Sequence, residues 1–185
     1  MNIAIIAKGN TRRRSELSLA LERLRGAALF AGLEVLETQH PGHAVDLARR
    51  ASTTADVIVS AGGDGTLNEI VNGCQQARQA DPAIRLPTVG VLALGSANDF
   101  LKTTRLRGTA DEVLALAEAG ARRPIDLGRV HYTAVDGRRA SRYFVNVADI
   151  GIGAAVVQEL ERSSRRLGTN LSYLRAILAA FLRYR

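Results

Sequence analysis

"ADVIVSAGGDGTLNEIVNG", residues 55–73, passes from an apolar run through three closely spaced glycines and one carboxylate into a helical pattern. Residues 55–60 have the continuous apolar character of a parallel strand buried on both faces. Residues 65–78 place their apolar positions at helical spacing, so the stretch predicts strand, glycine turn and helix. Glycines allow positive φ and let a bulky anion approach the backbone N–H groups. The start of the helix adds the positive end of its dipole. The local pattern is therefore a phosphate cradle, with Thr66 placed to cap the helix or to bond a phosphate oxygen. It is not a P-loop, because no Gly-Lys-Ser/Thr follows at the required spacing. A carboxylate at Asp64 beside a phosphate calls for an intervening Mg²⁺ or a ligand hydroxyl. The same residues also read as a tight glycine turn with Asp64 as a helix cap.

Working outward, strands are expected at 2–7, 33–38, 55–60 and 86–94. Helices are expected at 15–32, with Gly32 as the stop, and at 43–52, 65–78 and 109–120, the last with Thr109 as N-cap. Four strand–helix alternations with short loops predict an α/β fold, a parallel sheet with helices on both faces. Ligands in such sheets sit beyond the carboxyl ends of the strands, which directs attention to loops 8–14, 60–66 and 94–100. After Gly120 the pattern becomes a hairpin around the Asp136-Gly137 turn signal, followed by helical stretches at 154–166 and 171–184. The expected division is a nucleotide-binding α/β domain over 1–120 and the beginning of a β-rich second domain over 121–185, incomplete as it stands.

Composition narrows the class. Hydrophobic residues make up 46% of the 185 and aromatics only 4%, so an aliphatic core is expected. The net charge of +7 is carried by residues 121–185, with 12 Lys/Arg against 5 Asp/Glu. Such a segment attracts anionic lipid or phosphorylated ligands, or simply provides a solvated arginine surface. Without aromatic stacking platforms, no nucleic-acid partner is expected. The single Cys74 forbids an internal disulfide and argues for a reducing, cytoplasmic setting, as a small buried helix residue. No apolar run approaches the roughly 18–20 residues of a membrane span, and the N-terminus reads as a first strand, not a signal peptide.

A second loop, "GSANDF" (95–100), also follows a buried strand. Gly95 and Ser96 offer donors, and Asn98 and Asp99 a polar pair at the start of a short helix. "GGDGTLNEIVNG" (62–73) followed by "GSANDF" resembles the catalytic domain of the diacylglycerol kinase family. That family includes sphingosine kinases and bacterial lipid kinases, in the superfamily of NAD kinase and phosphofructokinase. "PIDLG" (124–128) and "YFVNVADIGIGAAV" (143–156) extend the resemblance into the start of the family's second domain, so that it spans nearly the whole chain.

The resemblance implies ATP and Mg²⁺ as cofactors, with ATP held between the domains and its γ-phosphoryl group passed to a lipid hydroxyl. Gly62, Gly63, Gly65 and Thr66 would surround the phosphates, Asp64 the metal–phosphate region, and Asn68 and Glu69 the nucleotide. Gly95, Ser96, Asn98 and Asp99 would complete the site, and Asp126 would support the metal or its waters, or serve as a strand-end carboxylate. Where the family reads Asn-Pro-x-Ser-Gly after the first strand, this chain has "AKGNTRRR". Lys8, Asn10, Thr11 and Arg12 to Arg14 are then the residues left to serve phosphates. The acidic general base of the family falls in the part of the second domain beyond this sequence; His131 is the nearest type and reads as a surface or packed strand residue.

The implied acceptor is diacylglycerol-like or sphingoid, met at a membrane surface by a peripheral protein, with homodimerisation left open. The stretch 170–185 places Leu171, Leu174, Ile177, Leu178 and Phe181 on one helix face, flanked by arginines. That face reads as an interfacial helix, or, with preference, as one packed into its own domain. The rival functions are an NAD-kinase-like phosphotransferase and an ATP-binding module without catalysis.

Overall fold

The computed structural model describes residues 1–30, 32–148, 151–162 and 169–183. Four parallel strands form one sheet: β1 (Asn2–Ala7), β2 (Gly32–Glu37), β3 (Val57–Gly62) and β4 (Thr88–Ala93), in the order β2-β1-β3-β4. Helices α1 (Arg14–Arg25), α2 (His43–Ala51) and α3 (Asp64–Ala80) connect them, and α4 (Asp99–Thr104) and α5 (Ala110–Glu118) follow β4. The expected α/β class is what the chain adopts.

The alternation of side chains along the strands divides the core. Ile3, Ile5, Val57 and Val59 face Leu17 and Leu24 of α1 and Val113 and Leu114 of α5. Ala4, Ile6 and Ile58 face Ala44, Leu47 and Ala48 of α2 and Ile70 and Cys74 of α3. Both faces are thus covered, which is why β1 and β3 read as continuous apolar runs. Helices α2 and α3 approach closely because Gly73 has no side chain: a Cβ there would overlap the carbonyl oxygen of Val45.

Several element boundaries differ from expectation, and two of them have a clear physical reason. Helix α1 ends at Arg25, not at 32. Gly26 caps it, and single-turn bonds at Ala27 and Phe30 release the chain so that Gly32 pairs with Asn2 at the start of β2. Strand β3 extends two residues into the glycine motif, because Ala61 and Gly62 pair with Leu92 and Ala93. Ladder pairing there overrides the glycines' weak strand preference. Thr109 does cap α5, its hydroxyl accepting from Glu112 N–H at 3.2 Å.

The hairpin β5 (Gly128–Thr133) and β6 (Arg139–Phe144) turns at Gly137, with φ 81°. Asn72 of α3 holds it: its amide accepts from Tyr143 N–H at 2.9 Å and donates to Tyr143 C=O at 2.8 Å. Contacts divide the chain into two compact units, Met1–Asn146 and Val147–Arg185, so the hairpin clusters with the parallel sheet.

In the second unit, α6 (Ile152–Arg162) and α7 (Thr169–Arg183) pack through Val156, Ala176 and Ala180. The preferred reading of the 170–185 stripe is corrected here. Leu174, Ile177, Leu178 and Phe181 are exposed, while the small alanines take the seam because they let the helix axes approach. Leu171 lies outside the residues whose side chains are described. Among the described residues, no helix is long and apolar enough to cross a membrane.

Candidate functional site

The strand order reverses direction between β1 and β3, since α1 leads outward to β2 and α3 outward to β4. A crevice opens at the carboxyl ends of strands at such a point. The loop after β1 and the Gly62–Asp64 turn form its two sides.

Gly63 is the N-cap of α3 in an extended conformation, and the first intrahelical bond runs from Leu67 N–H to Gly63 C=O at 3.1 Å. The N–H groups of Asp64, Gly65 and Thr66 therefore lie before the helical ladder. Among the described residues, no side chain accepts from them. The neighbouring helices are served differently. Thr109 caps α5, Glu69 accepts from Gly42 and Ala44 at the start of α2, and Asp64 accepts from Asp99 and Phe100 at the start of α4.

The four glycines of the site have different reasons. A Cβ on Gly62 would lie 2.5 Å from Thr66 Oγ1, so the Thr66 side chain occupies that space. A Cβ on Gly95 would overlap the Cα of Gly63, and one on Gly63 would lie 3.2 Å from the Cα of Gly95. Those two glycines let the two loops touch backbone to backbone. Gly65 is different: a Cβ there would meet nothing within 4 Å. Nothing in the fold requires a glycine in this first helical turn, where it costs about 1 kcal/mol relative to alanine.

Asn98 takes the left-handed conformation, φ 52° and ψ 45°, which Asn tolerates better than most residues. Its amide clamps its own loop, Oδ1 accepting from Gly95 N–H and Nδ2 donating to Gly95 C=O, both at 3.1 Å. Asp99 pairs with Lys102 at 2.9 Å, and Ser96 is exposed. The Oδ1 of Asn68 is a buried acceptor with no partner among the described residues, as is the hydroxyl of Ser60 on β3.

The structure thus brings together Gly62, Gly63, Asp64, Gly95, Asn98 and Asp99 through direct contacts, and joins Thr66 to Gly62. Gly65, Asn68 and Glu69 follow on the same helix, but both Glu69 oxygens are directed at α2. In the first loop, Asn10 is exposed, and Thr11 accepts from Arg13 N–H at 3.2 Å. Asp126 is exposed and makes no hydrogen bond or ion pair among the described residues, and His131 is exposed on β5. Of Arg12 to Arg14, Arg13 is the one with structural reach, and Asn72 was missed. Arg13 crosses to Ala93, and Asn72 binds the hairpin from 71 positions away, a partner that no local pattern signals.

These residues fit a nucleotide phosphate chain. Free N–H groups at a helix start, an open glycine and an orphaned amide acceptor are the features such a ligand uses. They fit a metal that arrives with the nucleotide. Among the described residues, no three His, Cys, Asp or Glu side chains cluster for a metal ion. Mg²⁺ is characteristically held by one or two carboxylates together with substrate phosphates, and Asp64, with two of its roughly four lone-pair positions used, can provide one.

Residues 5–130 match the family described as the diacylglycerol kinase catalytic domain. The chain belongs to this family. A "Probable lipid kinase YegS-like" protein of Serratia proteamaculans is 31% identical over 170 residues, covering 91% of this chain and 51% of that protein. One of the same description from Chromohalobacter salexigens is 33% identical over 88% of this chain and 48% of its own length. A diacylglycerol kinase of Bacillus subtilis is 35% identical over 114 residues, 60% of this chain and 32% of that protein. The chain therefore spans about half the length of the curated relatives it matches most fully. Among solved structures, a putative diacylglycerol kinase from Bacillus anthracis superposes with a TM-score of 0.57 at 24% identity, over 75% of this chain and 46% of that one. This likeness supports the fold.

Proposed function

We propose that this chain carries the phosphate-binding half of an ATP-dependent lipid kinase. In the complete protein, the γ-phosphoryl group of ATP passes to a lipid hydroxyl, with a diacylglycerol-like or sphingoid acceptor. The observation that carries this reading is the start of α3, a helix whose first N–H groups lack a side-chain acceptor and whose Gly65 leaves open space. Membership of the diacylglycerol kinase catalytic-domain family and the lipid-kinase names of the relatives support the acceptor class.

Phosphoryl transfer is catalysed mostly by alignment and charge neutralisation. The N–H groups of Asp64, Gly65 and Thr66 bind phosphate oxygens along the α3 dipole, and the Thr66 hydroxyl adds a donor. The Asn68 carbonyl accepts from the nucleotide or from an ordered water. Asp64 faces the metal–phosphate region while fixing the distance between the two loops. Mg²⁺ bound with the nucleotide supplies neutralisation of the phosphate charge. Asp126 would support the metal's waters, or serve only as a strand-end carboxylate.

The reaction takes place at a membrane surface, reached from the cytoplasm. The exposed apolar residues of α7, including Phe181 and Leu182, beside the exposed Arg175, support this location. The test is transfer of label from γ-labelled ATP in the presence of extracted lipids or of NAD. Label in the lipid fraction is expected. Label in NAD alone would support an NAD-kinase-like activity, and nucleotide binding without transfer in the complete protein would make this a non-catalytic module.

A further inference from the structure

The loop after β1 carries three consecutive arginines, Arg12 to Arg14. The structure separates them. Arg14 is held by Glu37 of β2 at 2.6 Å, on the side away from β3. Arg12 is exposed, without a hydrogen bond or ion pair among the described residues. Arg13 reaches inward: its Nη1 donates to the carbonyl of Ala93, the last residue of β4, at 3.2 Å, and to Glu16 at 3.3 Å.

Strand β3 lies between β1 and β4, and two strand spacings amount to about 10 Å. The Arg13 side chain therefore spans the carboxyl end of β3, where Gly62 and Gly63 begin the cradle. We infer that Arg13 is the phosphate-binding cation of this site, bridging the crevice between β1 and β3 and contacting the terminal phosphates of a nucleoside triphosphate. This rests on the nucleotide reading of the glycine cradle.

The chemistry suits the placement. A guanidinium carries five donors in a rigid plane. The Ala93 carbonyl and Glu16 take Nη1, which leaves Nε and Nη2 available for a bidentate contact with phosphate oxygens. The Arg13 side chain remains 44% exposed, so a ligand in the crevice can reach it. The Ala93 carbonyl fixes the arm in advance, reducing the ordering cost on binding.

The experiment is calorimetric titration of the full chain with Mg·ATP and with AMP, in the wild type, Arg13→Ala, Arg13→Gln and, as a control at the exposed far end of α1, Arg25→Ala. Arg13→Ala is expected to weaken ATP by about tenfold or more, the usual size of a lost charge-assisted contact, and AMP by less than about threefold. Arg25→Ala is expected to change neither. Arg13→Gln removes the charge but retains an amide donor, and serves if the alanine variant does not fold; the same change in the ATP-to-AMP affinity ratio is expected. Equal weakening of ATP and AMP would make Arg13 a mere tie between loop and strand and overturn the inference, leaving the nucleotide site intact. Binding of neither nucleotide by the wild type would overturn both.

Discussion

The Asp64 carboxylate accepts the backbone N–H of Phe100 at 2.9 Å, binding the first turn of α3 to the first turn of α4 across 36 residues of sequence. Its second oxygen accepts from Asp99 at 3.2 Å. The aspartate of the glycine motif is therefore a clamp between two loops as well as the carboxylate nearest the cradle. Asp64→Ala leaves two N–H groups at the start of α4 without their acceptor and is expected to cost about 1–2 kcal/mol in urea denaturation. Asp64→Asn retains one acceptor oxygen and is expected to recover part of that stability. If the carboxylate charge also serves the metal–phosphate region, Asp64→Asn remains unable to bind Mg·ATP with wild-type affinity, which calorimetry reads separately from stability.

Gly65 and Gly95 give opposite results on the same substitution. Gly95→Ala drives a Cβ into the Gly63 backbone and toward Asn98 Oδ1, with an expected loss of about 1–3 kcal/mol. Gly65→Ala meets no protein atom, and the helix gains up to about 1 kcal/mol from the better helix former. Its cost falls on the ligand instead, as weakened ATP binding in a protein whose Tm is unchanged or higher. Undiminished ATP affinity in Gly65→Ala would remove the cradle reading.

Asn98 combines a left-handed backbone with two bonds to Gly95. Asn98→Gly relieves the backbone but loses the clamp; Asn98→Ala loses both. The alanine variant is expected to be less stable than the glycine variant by about 1 kcal/mol, measured by thermal unfolding.

Glu69 spends both oxygens on α2, at Gly42 N–H (3.0 Å) and Ala44 N–H (3.2 Å). Gly42 itself, with φ 86°, has no side chain with which to cap the helix. Glu69→Ala is therefore expected to lower stability by about 1 kcal/mol, in the range of a lost N-cap. Hydrogen exchange is expected to show the loss first in the opening turn of α2.

Burial on the α2–α3 face pushes the Cys74 thiol above its ordinary value, offset in part by the nearby Ser52 hydroxyl. The folded chain thus keeps the proton at a pH where the unfolded chain loses it. The sign follows: the thiol's contribution to stability is complete below its ordinary pKa of about 8.5 and is lost as pH rises above that value. Cys74→Ala is expected to flatten this alkaline decline. Alkylation of the native protein is expected to be slow and to accelerate sharply in urea.

Much of this was legible because it is local. The apolar runs of β1 and β3 mark strands covered on both sides, and the helical spacing from residue 65 marks α3. Thr109 identifies the start of α5 by its side chain and position alone. The end of α1 was less legible, because a helical spacing of apolar residues continues past Gly26 although the backbone does not. The role of the α7 stripe was not legible either, since apolar spacing does not indicate whether leucines or alanines take the seam with a neighbour.

The sequence by itself determined the parallel α/β architecture, the two glycine loops at strand ends and the family, because these reside in residue types at fixed short spacings. Only the tertiary structure decided what each site residue does. Gly63 and Gly95 serve a backbone contact between loops, whereas Gly65 serves open space. Asp64 and Glu69 cap helices other than their own, and one arginine of three crosses the sheet end. Each of these depends on which strand lies beside which. That order is set by burying both faces of the sheet at once, a condition on the whole chain that no short segment contains.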